Sequence, residues 1–556
     1  MTSKNRKPEN FLGVVTGGSL AKGLQARIRT RMPLERIQTG QFVAISTNGV
    51  RFFGLLTDVM LNATSQQVLL DPPTPDDDTP PLVREVLQGV YTFGDAHIQP
   101  SLTINEGENQ PRPVRSVPSH FAPVYIAEED DFEQVFGAED LDADKPTFAV
   151  GKPLDMEIDI CIDLERFVER SNGVFGKSGT GKSVLTRLLL AGLIRADVCS
   201  NLIFDMHNEY GREIKSEGGF MKGLKDLFGT RVLVYELHNP NQNRKQGGTD
   251  GELIIGMNQI RAEDILLLRD VLQLNATAAE SAYILEEKFK DKWLSKLLEM
   301  EGDALKDFCD STNANSNSVT ALKRKMYAIK RMPFVRENTD FRMVDEMIAF
   351  LEKGKNVVIQ FGSNDDMASY MLVANVITNR LHDKYREKGS QYNRSKLEAD
   401  KPRRVMITIE EAHKFLTSEV AGQTIFGTIA REMRKYYVTL LVVDQRPSSI
   451  DSEVLSQIGT RIVALINDDK DIEAVFTGVS GASGLKTVLA GLDSRQQALL
   501  LGHAAPMPVV IRTRPYDEAF YQHITTGLTM PRPEIGSSSF TDWLKEVEKE
   551  EEELYS

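Results

Sequence analysis

No apolar run in this 556-residue sequence approaches the roughly 18 residues needed to cross a bilayer. The start, Met1-Thr2-Ser3-Lys4-Asn5-Arg6-Lys7, leads into polar sequence instead of the apolar centre of a secretory leader. Neither a membrane span nor export is expected, and the expected compartment is the cytoplasm. Cysteine is scarce: Cys161, Cys199 and Cys309 are isolated thiols without CxxC spacing, which argues against both a disulfide framework and a structural zinc site. Positive charge is also short, with 66 Lys and Arg against 80 Asp and Glu and a net charge of −14. A phosphate-bearing partner normally meets a basic face, but a few basic pore-lining loops would be invisible in such a sum. Composition therefore neither supports nor excludes DNA. No internal repeat is present. What remains is ordinary for a globular protein, 41% hydrophobic and 26% charged, in a chain too long for one core, so two or three domains are expected.

The first 140 or so residues read as short strands. Phe11 to Val15 and Leu24 to Thr30 are β-rich, and Phe42 to Ile45 meets Val50 to Leu56 across Asn48-Gly49. Asn and Gly tolerate the positive φ of a type I′ turn, so this is a hairpin signal, and a small antiparallel barrel is expected over residues 1–145. The proline- and aspartate-rich stretch from Asp71 to Pro81 fits neither helix nor central strand and is expected to be an exposed loop. From about residue 145 the pattern becomes buried strands alternating with helices, the mark of an α/β parallel sheet. Gly173-Val174-Phe175, Asn201 to Asp205, Arg404 to Ile409 and Val438 to Asp444 stand out as its strands. Residues 260–350 carry Leu, Ile and Met at helical spacing and are expected to be a helical insertion in a core spanning 146–530. Within it Lys323-Arg324-Lys325 and Lys330-Arg331 form a basic cluster, open to reading as a solvated face or as a phosphate contact. Residues 531–556 are expected to be an acidic tail, helix-like from Trp543 to Ser556.

Gly176-Lys177-Ser178-Gly179-Thr180-Gly181-Lys182-Ser183 matches GxxxxGK[ST] at every fixed position, after an apolar strand and before the helix-forming Val184 to Ala191. Its glycines let backbone N–H groups turn inward around phosphates, and a helix N-terminus adds favourable partial charge. Lys182 is expected to reach the β- and γ-phosphates of ATP and Ser183 to ligate Mg²⁺. Hydrolysis also needs an acid near the metal and a base for water. Ile407-Thr408-Ile409-Glu410-Glu411-Ala412-His413 supplies both at the end of a strand, with Glu410 assisting Mg²⁺ and Glu411 polarising the attacking water.

Three further segments carry a family resemblance. Asp205-Met206-His207-Asn208-Glu209-Tyr210-Gly211 resembles the DxHxEY stretch of the HerA family of ATPases, in the HerA/FtsK superfamily of P-loop NTPases. Ile429 to Tyr437 resembles its RExRK segment, and Asp444-Gln445-Arg446-Pro447 its SQRP motif. The motifs occur in the family's order and span nearly the whole chain. The resemblance implies a RecA-like P-loop NTPase core with a small N-terminal β-barrel of the HAS-barrel kind and a helical insertion, assembled as a homohexameric ring. It further implies that Gln445 senses the γ-phosphate, that Arg431 or Arg434 is the arginine finger reaching a neighbouring subunit, and that Arg170 falls where the family carries an arginine near the γ-phosphate. Three positions depart from the pattern: Glu410 replaces Asp, Met433 replaces Gly, and Asp444 replaces a small polar residue.

Two functions follow from the resemblance. One is an ATP-driven translocase for double-stranded DNA, working with a NurA-type nuclease docked on the barrel. The other is an ATPase ring that scaffolds a bacterial antiphage complex and activates a nuclease or a sirtuin-like NADase. A membrane-anchored DNA pump of the FtsK type fits less well, because it adds membrane helices that are missing here.

Overall fold

The computed structural model describes residues 8–30, 32–64, 70, 92–108, 110–216, 219–240, 249–340, 342–362, 366–419, 421, 424–479, 482–493 and 496–528. The expected Asp71–Pro81 loop and acidic tail lie outside them. Internal contacts divide the chain into two compact units. The first is Met1–Leu189, Glu411–Ser418 and Leu441–Pro515, and the second is Leu190–Glu410, Glu419–Leu440 and Tyr516–Ser556.

The first unit opens with a closed antiparallel barrel. Around it run Gly23–Ile28, Phe11–Ser19, Pro123–Ile126, Phe42–Thr47, Val50–Ala63 and Thr92–Asn105, and the last of these pairs back to Gly23–Ile28. Alternation along each strand sends Leu12, Leu24, Ala26, Val43, Ile45, Phe52, Leu56, Ile98 and Val124 into one apolar core. The expected hairpin is there, with Asn48 and Gly49 at φ of 47° and 76°. Gly13 is required by close approach, since a Cβ there would lie 2.0 Å from the Arg27 carbonyl oxygen across the strand pair.

Beyond the barrel, Asn172–Phe175 lies parallel between the end of Val438–Asp444 and Thr460–Ala464. Antiparallel strands Gln497–Gly502, Val509–Thr513, Thr147–Lys152 and Ile160–Asp163 extend the sheet in that order. The sequence reading had not singled out these four or Thr460–Ala464.

The second unit is built on five parallel strands in the order Gly251–Leu253, Val232–Leu237, Asn356–Gln360, Ser200–Asp205, Val405–Glu410. Parallel strands buried on both faces read as unbroken apolar runs, and Leu202, Ile203, Phe204, Val357, Val358, Ile359, Met406 and Ile407 are all wholly buried. The expected insertion is helical over Ala262–Leu267, Ala276–Phe289, Trp293–Glu299, Gly302–Thr312 and Ser316–Lys330. Trp293 is its buried anchor, and its indole Nε1 donates to the Ile260 carbonyl at 2.8 Å. Parallel strands, crossover helices and a glycine-rich phosphate loop define a RecA-like P-loop NTPase core, and the barrel and insertion complete the expected fold class.

Asp264, 1% exposed in the insertion, accepts from the Arg261 amide at 2.6 Å, from Asn379 Nδ2 at 3.1 Å and from Asn375 Nδ2. Burial pushes its carboxyl up to about 7. The folded chain therefore keeps this proton where the unfolded chain has already released it, near pH 4. The resulting stability is complete below that pH and is lost as pH rises through about 7, by about 4 kcal/mol at most. Urea midpoints followed by tryptophan fluorescence should accordingly fall between pH 5 and pH 8 (about one and four pH units above the unfolded value). Asp264→Asn, which mimics the protonated acid, should flatten that fall, and an unchanged slope would refute the assignment.

Candidate nucleotide site

The phosphate loop is pinned at its first two residues by backbone. Strand Asn172–Phe175 is buried throughout, and as the chain leaves it the Gly176 N–H donates to the Asp444 carbonyl at 3.2 Å and the Lys177 N–H to the Leu465 carbonyl at 3.1 Å. A Cβ on Gly176 would lie 2.8 Å from Thr180 Oγ1 and 2.9 Å from Ala464 Cβ, so no side chain fits. Gly179 and Gly181 hold φ of 78° and 90° with open space where a Cβ would stand, which leaves a concave run of amides accessible to a ligand. Lys177, Ser178 and Gly179 are exposed. The Lys177 carbonyl gathers donors from inside the loop, Thr180 Oγ1 at 2.8 Å and Lys182 Nζ at 2.7 Å. Helix Lys182–Ala196 starts at the loop's end, which puts Ser183 in its first turn. This cradle fits a polyphosphate. Among the described residues no group of three or more His, Cys, Asp or Glu is placed to hold a metal by itself. Mg²⁺ here fits the usual arrangement of one protein hydroxyl or carboxylate completed by phosphate oxygens, with Ser183 as the hydroxyl.

The strand paired in register with the P-loop strand, Phe175 opposite Asp444, leads into a cluster of acidic and amide side chains. Glu411 sits in the left-handed region at φ 48° and ψ 43°, an uncommon conformation for a non-glycine residue that turns its carboxylate out of the strand line. Gln445 Nε2 donates to Glu411 Oε1 at 3.0 Å. Glu411 Oε2 is 3.5 Å from His413 Nδ1. That ring nitrogen is 3.0 Å and 3.1 Å from the two oxygens of Asp444, whose side chain is fully buried. Asp444 also accepts the His413 backbone N–H at 2.7 Å and the Arg446 N–H at 2.6 Å. Sequence reasoning picked out Glu411 and Gln445, noted Asp444 only as a departure, and gave His413 no role. The signal for both was an acidic residue where a small polar one is usual, facing a histidine two residues after the Glu-Glu pair.

Glu410 and the DxHxEY segment meet in the second unit. Glu410 is 6% exposed, and its Oε1 accepts from the Tyr210 hydroxyl at 2.8 Å. Its backbone N–H donates to Tyr370 Oη at 2.9 Å. Asp205, 0% exposed, accepts three successive amides, Glu209 at 2.7 Å, Tyr210 at 2.9 Å and Gly211 at 3.2 Å, with Gln360 Nε2 at 3.3 Å. Burial raises the Asp205 carboxyl above the usual range, and those amides oppose the rise. The motif's Asp thus folds the turn and its Tyr reaches Glu410. Burial first, then the neighbouring Glu410 carboxylate, raises the Tyr210 hydroxyl well above its ordinary value and keeps it a donor.

The arginines separate. Arg431, half-buried on helix Ile425–Glu432, donates Nη2 to the Ala421 carbonyl at 2.6 Å. Arg434 is exposed on the following turn, Met433–Tyr436. Arg170 is exposed beside Gly459, ahead of strand Asn172–Phe175, and so at the end of that strand away from the P-loop of its own chain.

Residues 148–381 match the family model described as "Helicase HerA, central domain". The chain is 22% identical over 420 residues to the DNA double-strand break repair helicase HerA of Pyrococcus furiosus, covering 71% of this chain and 73% of that protein. It is 24% identical over 484 residues to the protein of the same name from Sulfolobus acidocaldarius, covering 86% and 89%. Among solved structures it is similar to the bacterial conjugative coupling protein TrwBdeltaN70, with a TM-score of 0.42, 13% identity and coverage of 64% and 87%. VirB4 of Thermoanaerobacter pseudethanolicus gives a TM-score of 0.40, 15% identity and coverage of 67% and 98%. No described helix is long and apolar enough to cross a membrane.

Removing one partner of a buried hydrogen bond to a charged group costs about 1.5–3 kcal/mol. Tyr210→Phe should therefore lower stability by that order in urea titrations, whereas Tyr283→Phe, 43% exposed on helix Ala276–Phe289, should cost little. Equal losses would refute the Tyr210–Glu410 contact.

Proposed function

We propose, from the HerA central domain that residues 148–381 carry, that this chain is an ATP-hydrolysing motor that translocates double-stranded DNA as a homohexameric ring. The observation that carries the reading is the pairing of the P-loop strand with the strand ending at Asp444, which sets the phosphate cradle beside the Gln445–Glu411 pair. The amides of Gly179 to Ser183 and the Lys182 ammonium bind the β- and γ-phosphates. Ser183 would give its hydroxyl to Mg²⁺, and Glu410, its carboxylate fixed by Tyr210, would assist the metal. Mg²⁺ supplies charge neutralisation on the phosphates. Glu411 takes a proton from the attacking water, and Gln445, bonded to Glu411, reads the γ-phosphate in the same movement.

Arg434 is the better candidate for a finger offered to the neighbouring subunit, because Arg431 is already bonded to its own backbone. Arg170 stands outside the site of its own chain and is left to a contact across the ring. Exposed Phe121, at 73% on the barrel, supports the barrel as the docking face for a partner nuclease of the NurA type. Exposed Arg324 and Lys330 of helix Ser316–Lys330 offer phosphate contacts despite the acidic total.

Lys182→Ala should abolish nucleotide binding, while Glu411→Gln should keep binding and lower turnover by about 10²–10⁴-fold, both read by phosphate release and fluorescent-nucleotide titration. Undiminished turnover in both would refute the site. Duplex DNA should stimulate the ATPase. Turnover indifferent to DNA would point instead to a scaffolding ring that activates a defence effector. Light scattering with ATP should give a hexamer, and a strict monomer would sink the ring.

A further inference from the structure

We propose that Asp444 and His413 are positioning residues for ATP hydrolysis, acting through Glu411. This rests on the reading of Glu411 as the base that accepts the proton from water. The Asp444 side chain is fully buried, yet among the described residues its hydrogen-bond and ion-pair partners include no lysine or arginine side chain. Its two oxygens take the backbone N–H of His413 and of Arg446, and both lie within 3.1 Å of His413 Nδ1. Nδ1 also faces Glu411 Oε2 at 3.5 Å. A ring nitrogen surrounded by carboxylate oxygens is stable there only as the donor, so Nδ1 carries the hydrogen and the tautomer is fixed.

The imidazole is then held at its backbone and at its ring by one carboxylate. It stands against one oxygen of Glu411 while Gln445 holds the other at 3.0 Å. With one oxygen hydrogen-bonded and the other facing the imidazole at 3.5 Å, the carboxylate loses part of the rotational freedom of its terminal torsion, which is otherwise broad and two-fold. A base must keep its lone pair aimed at one water while the reaction proceeds, and orientation of this kind is a large part of catalytic efficiency. A small hydroxyl side chain at 444 cannot replace this arrangement, since it offers one oxygen with a shorter reach in place of two. The main chain of the same residue accepts the Gly176 N–H at 3.2 Å. Asp444 therefore joins the phosphate loop, through its carbonyl, to the hydrolytic carboxylate, through its side chain and His413.

The test uses the full chain with Asp444→Asn, Asp444→Ser, His413→Ala and His413→Asn, alone and combined with Glu411→Gln. Phosphate release gives kcat and KM, and a fluorescent ATP analogue gives affinity. Asp444→Asn, Asp444→Ser and His413→Ala should lower kcat by about ten- to a hundred-fold, with nucleotide affinity within about twofold of the unaltered protein. His413→Asn, whose amide nitrogen stands near the place of Nδ1, should recover part of the rate lost in His413→Ala. In the Glu411→Gln background Asp444→Asn should cost nothing further. An unchanged kcat in Asp444→Asn beside an inactive Glu411→Gln would overturn the proposal alone, as would a fully additive loss in the double variant. Full turnover by Glu411→Gln would overturn the underlying reading and the proposal with it. If Asp444→Asn also loses nucleotide binding, the comparison of His413→Ala with His413→Asn decides, and equal loss in the two counts against positioning.

Discussion

A carboxylate removed from water must be met by hydrogen-bond donors, and the chemistry of this protein is arranged around three that are. Asp205, Glu410 and Asp444 each end a buried strand, at 0%, 6% and 1% exposure. The effective cost of such burial is several kcal/mol per ion when it is not compensated. The contacts seen here come from amides, hydroxyls and one imidazole in neighbouring turns. Meeting that demand fixes the turns themselves. The Glu209–Gly211 amides must point back at Asp205, and the His413 amide must point at Asp444. Side-chain burial at strand ends thus determines backbone shape in the loops that carry function.

The same principle explains what was legible in the sequence. The P-loop could be read because its requirements are local: glycines for close approach, a lysine and a serine at the helix start, an apolar strand before them. The Asn48-Gly49 hairpin and the strands Ser200–Asp205, Val405–Glu410 and Val438–Asp444 were visible for the same reason, as short patterns complete within a few residues. The work of Asp444 was not visible. Its partner His413 lies 31 residues earlier, and nothing in either segment alone says that they touch. Tyr210 and Glu410, 200 residues apart, present the same difficulty. The two candidate arginines looked equivalent because sequence cannot show that the Ala421 carbonyl already engages one of them.

Strand recognition followed a similar line. Thr460–Ala464 was passed over although it borders the P-loop strand, because a five-residue strand containing Thr and Arg does not read as a buried run. The structure accounts for the arginine: Arg461 is 3% exposed and donates to the carbonyls of Val475, Leu455 and Thr477. A cation in a central strand is tolerated there because helix and turn carbonyls that would otherwise lack donors take up its hydrogens.

Glu411 occupies a backbone region that favours glycine and asparagine, a distortion worth on the order of 1–3 kcal/mol. Selection for heat resistance alone would reward replacement of this residue by one that relaxes the main chain, and glycine and asparagine, which do so, both discard the carboxylate. If Glu411 is the base proposed above, thermal robustness and turnover pull in opposite directions at this position, so variants bred for hardiness without a screen for phosphate release will tend to drift toward inactive protein.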